Sequence, residues 1–315
     1  MTRMTRMTRM TDLVGIKYPI FQGGMQHISR SPLVIAVSNA GGLGLLTTGA
    51  LDAEGLRKEI NTVRENTDKP FGVNLNLLQP NIDELVDIVI EEKVAIVTTG
   101  AGSPKKYFPR FKEAGIIVIP VVAAVKHALK MQELGVDAII AEGQEAGGHI
   151  GKSGTLPLVR QITDAVDLPV IAAGGFADGK GLVAALALGA EGVQMGTVFL
   201  ATEECPIPDS FKESVVNAID TTTMVTGRKG GHPVRALQNN MLVEYLTLEM
   251  ANAPEEELEK LTVGSLYRAV VDGDTETGTM MAGEISGLVP RIRPVKEVID
   301  GIMKEAKETI ANLSL

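Results

Sequence analysis

One histidine stands among glycines directly after a short apolar run of the chain. Gly147 and Gly148 precede His149, and Gly151 follows it. Imidazole is the side chain best suited to proton transfer near neutral pH. A lone histidine is more often a surface or satisfied core residue, but glycines at the end of a strand favour a side chain that points into a pocket. His149 is therefore our candidate for acid–base chemistry.

Two further segments, Val170–Gly179 and Gly192–Thr197, also place glycine after an apolar run. Backbone N–H groups at glycine can approach an anion closely, and a helix beginning near Thr197 would direct partial positive charge at it. Either segment alone could simply form a tight turn. At the ends of consecutive strands, the two together predict a phosphate site for a substrate or a cofactor.

The remaining histidines and the single cysteine carry weaker signals. His27 could line the mouth of a site, although solvent exposure is the simpler expectation, and His127 is expected on the solvated face of a helix. His232 lies in a turn from which it could reach a substrate. Cys205 has no evident base beside it, so a nucleophilic role is not expected. No spacing of histidines and carboxylates matches a zinc site.

Short apolar runs alternate with amphipathic segments in the first two thirds of the chain. Strands are predicted at Pro19–Gln22, Leu43–Leu46, Phe71–Leu75, Ala95–Thr98, Ile116–Pro120, Ala138–Ala141, Val170–Ala173 and Gly192–Gln194. Helices are predicted at Pro32–Asn39, Ala53–Glu65, Ile82–Glu92, Pro104–Glu113, Val125–Leu134, Leu156–Val166 and Lys180–Leu188. Continuous apolar strands are typical of a parallel sheet covered by helices.

The positions of the glycines decide between two α/β architectures. A doubly wound sheet should have a glycine-rich turn after its first strand, whereas here glycines follow many strands. This favours a (β/α)8 TIM barrel, whose site lies at the carboxyl ends of the strands and whose last two loops commonly hold phosphate. His149 would follow the sixth strand of that barrel.

Three regions are expected along the chain. Residues 1–12, which contain a Met-Thr-Arg repeat, are predicted to be a frayed tail, and residues 13–202 form the barrel. Residues 203–315 are predicted to be a helical addition packed on the barrel, without further strands. Its helices are expected near Ser210–Ala218, Val234–Glu249, Val263–Val271 and Pro294–Ala311.

The composition excludes several classes of protein. The net charge is −9, aromatic residues make up 3% of the chain and tryptophan is absent, so nucleic-acid binding has neither its electrostatic nor its stacking basis. One cysteine excludes an internal disulfide and fits a reducing compartment. No apolar stretch is long enough to span a bilayer, and no apolar core follows the basic N-terminus. We therefore expect a cytoplasmic protein.

Four runs of the sequence carry a resemblance to a known group of enzymes: Tyr18–Met25, Glu142–Gly151, Ala172–Gly175 and Gln194–Thr197. Together they resemble the nitronate monooxygenase (2-nitropropane dioxygenase) and FabK-type enoyl-ACP reductase superfamily of FMN-dependent TIM barrels. The resemblance extends from Leu13 to Leu288, and its most specific part is Glu145–His149.

Within that superfamily, further runs are more similar to the type II enoyl-ACP reductases: Phe21–Met25, Val97–Gly102, Gly231–Ala236 and Met281–Leu288. Two regions depart from that branch. Gln26-His27 stands where the branch has Ala-Trp, and residues 244–263 match poorly.

The resemblance implies a non-covalent FMN and assigns residues to it. The isoalloxazine would border Gly23, Gly24, Met25 and Asn74, its edge or the ribityl chain would lie near Glu142, Gly147 and Gly148, and the ribityl phosphate would be held by Gly174, Gly175, Gln194, Met195, Gly196 and Thr197. His149 is carried over as the catalytic residue. NAD(P)H would be the reductant, and some members of this branch use a monovalent cation, for which the sequence shows no ligand cluster.

The function implied first is reduction of the 2,3 double bond of an enoyl thioester, either free or bound to an acyl carrier protein. The alternative is oxidation of an alkyl nitronate with FMN and O2. A phosphate-sugar isomerase or aldolase would need a lysine or a carboxylate base at a strand end, and Glu142 is the one candidate. The resemblance also implies a homodimer.

Overall fold

The computed structural model describes residues 8–313. At its centre, eight strands form a parallel barrel. Its strands are β1 (Ile20–Gln22), β2 (Gly44–Thr47), β3 (Phe71–Asn76), β4 (Ile96–Gly100), β5 (Ile117–Val122), β6 (Ile139–Glu142), β8 (Val170–Ala173) and β9 (Gly192–Met195). These eight strands pair in parallel in the order β1-β9-β8-β6-β5-β4-β3-β2, and a bridge between Phe21 and Leu43 joins the two ends. The predicted (β/α)8 TIM barrel is confirmed.

Helices alternate with the strands and cover the outside of the barrel. Their bounds are α1 (Arg9–Val14), α2 (Ser31–Asn39), α3 (Ala53–Asn66), α4 (Ile82–Glu91), α5 (Phe108–Glu113), α6 (Val125–Leu134), α7 (Thr155–Ala165), α8 (Gly179–Ala187), α9 (Thr197–Leu200), α10 (Asp209–Val216), α11 (Asn240–Met250), α12 (Glu255–Thr262), α13 (Ser265–Tyr267) and α14 (Val295–Asn312). The predicted helix Pro104–Glu113 is divided into a 3-10 turn, Pro104–Lys106, and α5.

The last helix of the chain completes the outer ring of the barrel. α14 packs against α8 and α2, and it buries an apolar face that includes Val298 and Ile302. A Cβ atom on Gly179 would lie 2.5 Å from the carbonyl oxygen of Ile302, so glycine there lets α8 and α14 approach closely. The expected helical addition, residues 203–315, therefore contains one element of the barrel itself.

The amino-terminal end of the barrel is covered by α1. Thr8 caps this helix, and Met10 and Val14 are buried among the residues of the barrel interior. Arg9 holds the helix in place by donating to Glu191 and to the carbonyl oxygen of Asp167. The prediction of a frayed tail is wrong for residues 8–12, since this apolar face packs into the barrel, and residues 1–7 lie outside the described part of the chain.

The expectation that no strands follow residue 202 is also wrong. β10 (Thr223–Thr226) and β11 (Val234–Leu237) are antiparallel, and β11 pairs in turn with the two-residue strand β7 (Gly148–His149). The first four residues of the predicted helix Val234–Glu249 thus form a strand. The helix begins only at Asn240, because the side chain of Asn239 accepts the N–H of Leu242 at 3.0 Å and caps it.

The predicted helix Val263–Val271 is interrupted as well. Gly264 adopts a left-handed conformation at φ +70°, after which α13 forms a single turn and Arg268–Asp272 form a π-helical turn. α12, which the sequence analysis did not predict, precedes this break and has no buried residue. These short elements lie over the carboxyl end of the barrel, where Leu266 reaches the central cavity.

Candidate active site

A cavity of about 300 Å³ opens at the carboxyl ends of the barrel strands. Every predicted site residue lines it: Gly23, Gly24, Met25, Asn74, Glu142, Gly147, Gly148, His149, Gly174, Gly175, Gln194, Met195, Gly196 and Thr197. The fold therefore brings all of them together around one space, large enough for a cofactor or a substrate of ordinary size. The roles assigned to them stay predictions.

The loops after β8 and β9 form a cradle made of backbone. Gly174 and Gly175 have φ angles of +84° and +85°, which favour glycine, and a Cβ atom on Gly174 would lie 2.8 Å from the carbonyl oxygen of Gly143. Within residues 8–313, no protein oxygen accepts the N–H groups of Gly175 or Gly196. Free N–H groups that face a cavity suit a phosphate group. The helix expected at Thr197 is a single turn, Thr197–Leu200.

Another wall, at the ends of β1 and β3 and beside the loop after β9, is flat because glycines lie close to polar side chains. A Cβ atom on Gly24 would lie 2.5 Å from Cβ of Asn74, and one on Gly23 would lie 3.2 Å from Cδ of Gln194. Oδ1 of Asn74 accepts the hydroxyl of Thr98 at 2.9 Å, which fixes the orientation of this amide. A wall without projecting side chains fits a planar ring such as an isoalloxazine.

Glu142 is one of two carboxyl groups that line this cavity, and the other is Glu145. Glu142 ends β6 and is half-buried, and burial raises its pKa from 4.5 to about 7. No described cation pairs with it. A carboxyl group in this state is part neutral and part ionised at pH 7, so it can both donate and accept a hydrogen bond.

His149 lies on β7, at the open side of the cavity. Burial lowers the pKa of its imidazole below the usual 6.5, and the nearby His232 lowers it further. The imidazole is therefore mostly neutral at pH 7. The segment that carries it was expected to be a loop after β6, but its last residues pair with β11, with His149 opposite Val234.

The loop between β6 and β7 is fixed from two directions. Both carboxylate oxygens of Glu145 accept the N–H of Thr155, at 3.0 and 2.9 Å, and one also accepts its hydroxyl at 2.7 Å. On the other side, a Cβ atom on Gly147 would lie 2.7 Å from the backbone of Ala282. Gly147 therefore allows the loop to touch a segment far away in the sequence.

Several lining residues were not predicted from the sequence, and four of them come from the last fifty residues of the chain: Leu266, Met281, Gly283 and Ile285. The hydroxyl of Thr197 accepts the N–H of Gly283 at 2.8 Å, which joins this segment to the barrel. The run Met281–Leu288 contributed to the resemblance, but nothing in its local pattern indicated that it covers the cavity.

The weaker sequence candidates take no part in the cavity. His127 is exposed on α6, and burial raises the pKa of the Cys205 thiol to about 12, which removes its thiolate form at neutral pH. His27 is half-buried rather than exposed, and it packs edge-to-face on Tyr267 with 6.0 Å between the ring centroids. In the described chain no three His, Cys, Asp or Glu side chains could share a metal ion, and no helix there could cross a membrane.

Comparisons with known proteins agree on one family. The family model described as nitronate monooxygenase matches residues 7–89 and 81–305. The solved structure of FabK from Thermotoga maritima is 49% identical, with a TM-score of 0.94 over 96% of this chain and 97% of that one.

Two curated relatives are similar over nearly the whole chain. A (3aS,4S,5R,7aS)-5-hydroxy-7a-methyl-1-oxo-octahydro-1H-indene-4-carboxyl-CoA dehydrogenase from Rhodococcus jostii is 34% identical over 95% of each chain. A probable nitronate monooxygenase from Staphylococcus aureus is 31% identical, over 94% of this chain and 96% of the relative.

Proposed function

The chain belongs to the nitronate monooxygenase family, whose matched relatives are oxidoreductases, and on this premise we propose that it is an FMN-dependent NAD(P)H oxidoreductase that reduces the 2,3 double bond of an enoyl thioester. The observation that carries the proposal is the likeness to the Thermotoga maritima chain, which covers both proteins almost completely. The dehydrogenase relative, whose name specifies a CoA thioester, supports a thioester substrate.

The residues of the cavity fit FMN. The free N–H groups of Gly175 and Gly196 would bind its phosphate, and the flat wall at Gly23 and Gly24 would take one face of the ring. When bound, FMN supplies the redox chemistry, taking a hydride from NAD(P)H and giving it to the β-carbon of the substrate. The protein supplies position, exclusion of water and the proton.

His149 would supply or direct the proton that the α-carbon of the substrate gains. It lies at the open side of the cavity, where a substrate above the ring would meet it. Because its pKa is lowered, only a minor imidazolium fraction is available to donate at pH 7. The neutral imidazole can still donate a hydrogen bond to the thioester carbonyl. Glu142, with its pKa of about 7, would keep a second proton within the same cavity.

A second candidate function is oxidation of alkyl nitronates with FMN and O2. The family model and the Staphylococcus aureus relative favour it. A neutral imidazole is also well suited to act as a base or to position an anionic nitronate. Neither function requires a different arrangement of the cavity, so a direct comparison of activities must separate them.

One preparation assayed in two ways tests the proposal. We expect yellow protein that releases FMN on denaturation and that oxidises NADH or NADPH anaerobically when crotonyl-CoA is added. O2 consumption with an alkyl nitronate, measured on the same preparation, should be much slower. Protein that takes up no FMN would overturn both functions, whereas rapid nitronate oxidation without enoyl turnover would establish the second.

A further inference from the structure

The turn between β10 and β11, residues 227–233, lies beside β7, the strand that carries His149. β11 pairs with β7 so that Val234 is opposite His149, and the N–H of Ile150 donates to the carbonyl oxygen of Pro233 at 3.1 Å. His232 precedes Val234 by two residues, which by the alternation of a strand places it on the face of His149. The effect of His232 on the pKa of His149 agrees with this proximity, although burial is the larger cause.

The turn is held in one position by α11. The buried carboxylate of Glu249 accepts the N–H groups of Gly227 at 3.2 Å and of Lys229 at 3.0 Å. Nζ of Lys229 in return donates to the carbonyl oxygen of Glu249 at 2.7 Å. A turn fixed by both a side chain and a helix end can present its exposed side chains in a defined place.

Three exposed nitrogen-bearing side chains belong to this turn and to the loop that follows β7: Lys152, Arg228 and His232, which we call the basic corner. None of them forms an ion pair or a side-chain hydrogen bond with any residue in the range 8–313. By contrast, Arg235 on β11 is buried and paired with Glu284 at 2.7 Å. On a chain with a net charge of −9, unpaired positive charge on the segments that flank the pairing of β7 with β11 is unusual.

We propose that the basic corner binds the pyrophosphate of the nicotinamide dinucleotide that reduces the flavin. This inference rests on the proposed function. The pyrophosphate is joined to the nicotinamide through one ribose, so a nicotinamide that enters the cavity beside His149 leaves its pyrophosphate at the mouth, next to the turn. Guanidinium and ammonium groups are the side chains that bind phosphate oxygens most strongly.

The basic corner and the glycine cradle would then bind two different phosphates in two different ways. The cradle holds the FMN phosphate with backbone N–H groups at the ends of β8 and β9. The basic corner uses exposed side chains, which suits a ligand that must bind and leave in every turnover. Its contribution should weaken as salt is added, because exposed charges are screened.

The test is the reductive half-reaction of the FMN-loaded protein, followed by stopped-flow absorbance. We compare the wild type with Arg228→Gln, Lys152→Gln and the double variant, and use Lys130→Gln, an exposed lysine on α6, as the matched control. The hydride donors are NADH, NADPH and 1-benzyl-1,4-dihydronicotinamide, which contains no phosphate. In parallel, calorimetry measures the binding of ADP-ribose, which carries the pyrophosphate but cannot reduce flavin.

We expect each single variant to raise the Kd for NADH and NADPH about fivefold and the double variant to raise it by about tenfold or more. Reduction by the phosphate-free donor and the behaviour of Lys130→Gln should stay within twofold of the wild type. ADP-ribose should lose affinity in parallel with NADH. An increase confined to NADPH would overturn the assignment to the pyrophosphate and point to the 2′-phosphate.

Unchanged Kd values in the double variant, or equal effects on all three donors, would overturn the inference. Failure of the proposed function has a different signature, because wild-type flavin would then resist NADH and NADPH while accepting hydride from the phosphate-free donor. Even in that case, ADP-ribose binding tests whether the basic corner binds a pyrophosphate. Weaker binding to the double variant than to the wild type supports this assignment, and equal binding overturns it.

Discussion

The floor of the cavity and its mouth are built by different regions of the chain and in different ways. The floor consists of barrel loops in which glycine is required, as at Gly24 and Gly174, where a Cβ atom would collide with Asn74 or with backbone. The mouth consists of β7, β11 and the segment 281–285, which contribute the side chains of His149, Met281 and Ile285. Under the proposed function, the floor would bind the cofactor where side chains are absent, whereas the mouth would supply the side chains that take part in the chemistry.

The largest effect is expected from a side chain placed in the floor. In Gly175→Asp, a carboxylate would face the phosphate dianion of FMN, a repulsion of about 4 kcal/mol at ~4 Å and an effective dielectric constant of ~20, or roughly a thousandfold in Kd. Titration of the FMN-free protein with FMN measures this. Gly115→Asp is the matched control, because Gly115 has a similar φ of +71° but lies in open space away from the cavity. If Gly175→Asp bound FMN with a Kd within threefold of the wild type, this loop would not be the phosphate site.

An effect of comparable size, but confined to chemistry, is expected at the mouth. His149→Ala should retain FMN but lose about 10²–10⁴-fold in the rate at which the oxidising substrate reoxidises the flavin, the usual range for acid–base catalysis. Flavin reduction by NAD(P)H should suffer less, because that step needs no proton from the imidazole. His127→Ala, on the exposed face of α6, serves as control. Reoxidation at the wild-type rate would make His149 structural.

The pH dependence of the same step separates the two functions. Because burial places the pKa of His149 below 6.5, an acid role predicts that enoyl reduction slows as the pH rises through that lowered value. A base role predicts that nitronate oxidation speeds up over the same interval. His149→Ala should abolish whichever slope the wild type shows.

The smallest effect concerns stability. It tests whether ionisation of the buried Glu142 carboxyl group lowers the free energy of unfolding. Its folded pKa of about 7 exceeds the ordinary 4.5, so the folded state holds the proton more tightly and the free energy of unfolding decreases as the pH rises from 4.5 to 7. Glu142→Gln should therefore stabilise the FMN-free protein above pH 7, by at most about 3 kcal/mol, and have little effect near pH 4. Denaturant unfolding at both pH values measures this, with the exposed Glu113→Gln as control. A gain of equal size at pH 4 and pH 8 would contradict the role of ionisation.

Each region could be predicted from the sequence to the extent that its structure depends on residues close together along the chain. The strands of the barrel were predicted to within about two residues, because each is a short apolar run and several of them end in glycine. Gly174, Gly175 and Gly196 were placed around one site because carboxyl ends of barrel strands converge. The run Glu145–His149 was singled out for the same reason, although its pairing with β11 was not foreseen.

The amino-acid sequence by itself thus determined the barrel, the family and the set of residues around the cavity, since apolar periodicity and glycine placement act over a few neighbouring residues. Only the tertiary structure decided that α14 closes the outer ring, that α1 covers the far end, and that Met281 reaches the cavity. It also decided which cations stay free, pairing Arg235 with Glu284 while leaving Arg228 exposed. These outcomes depend on contacts between segments far apart along the chain, whose energies no local pattern records.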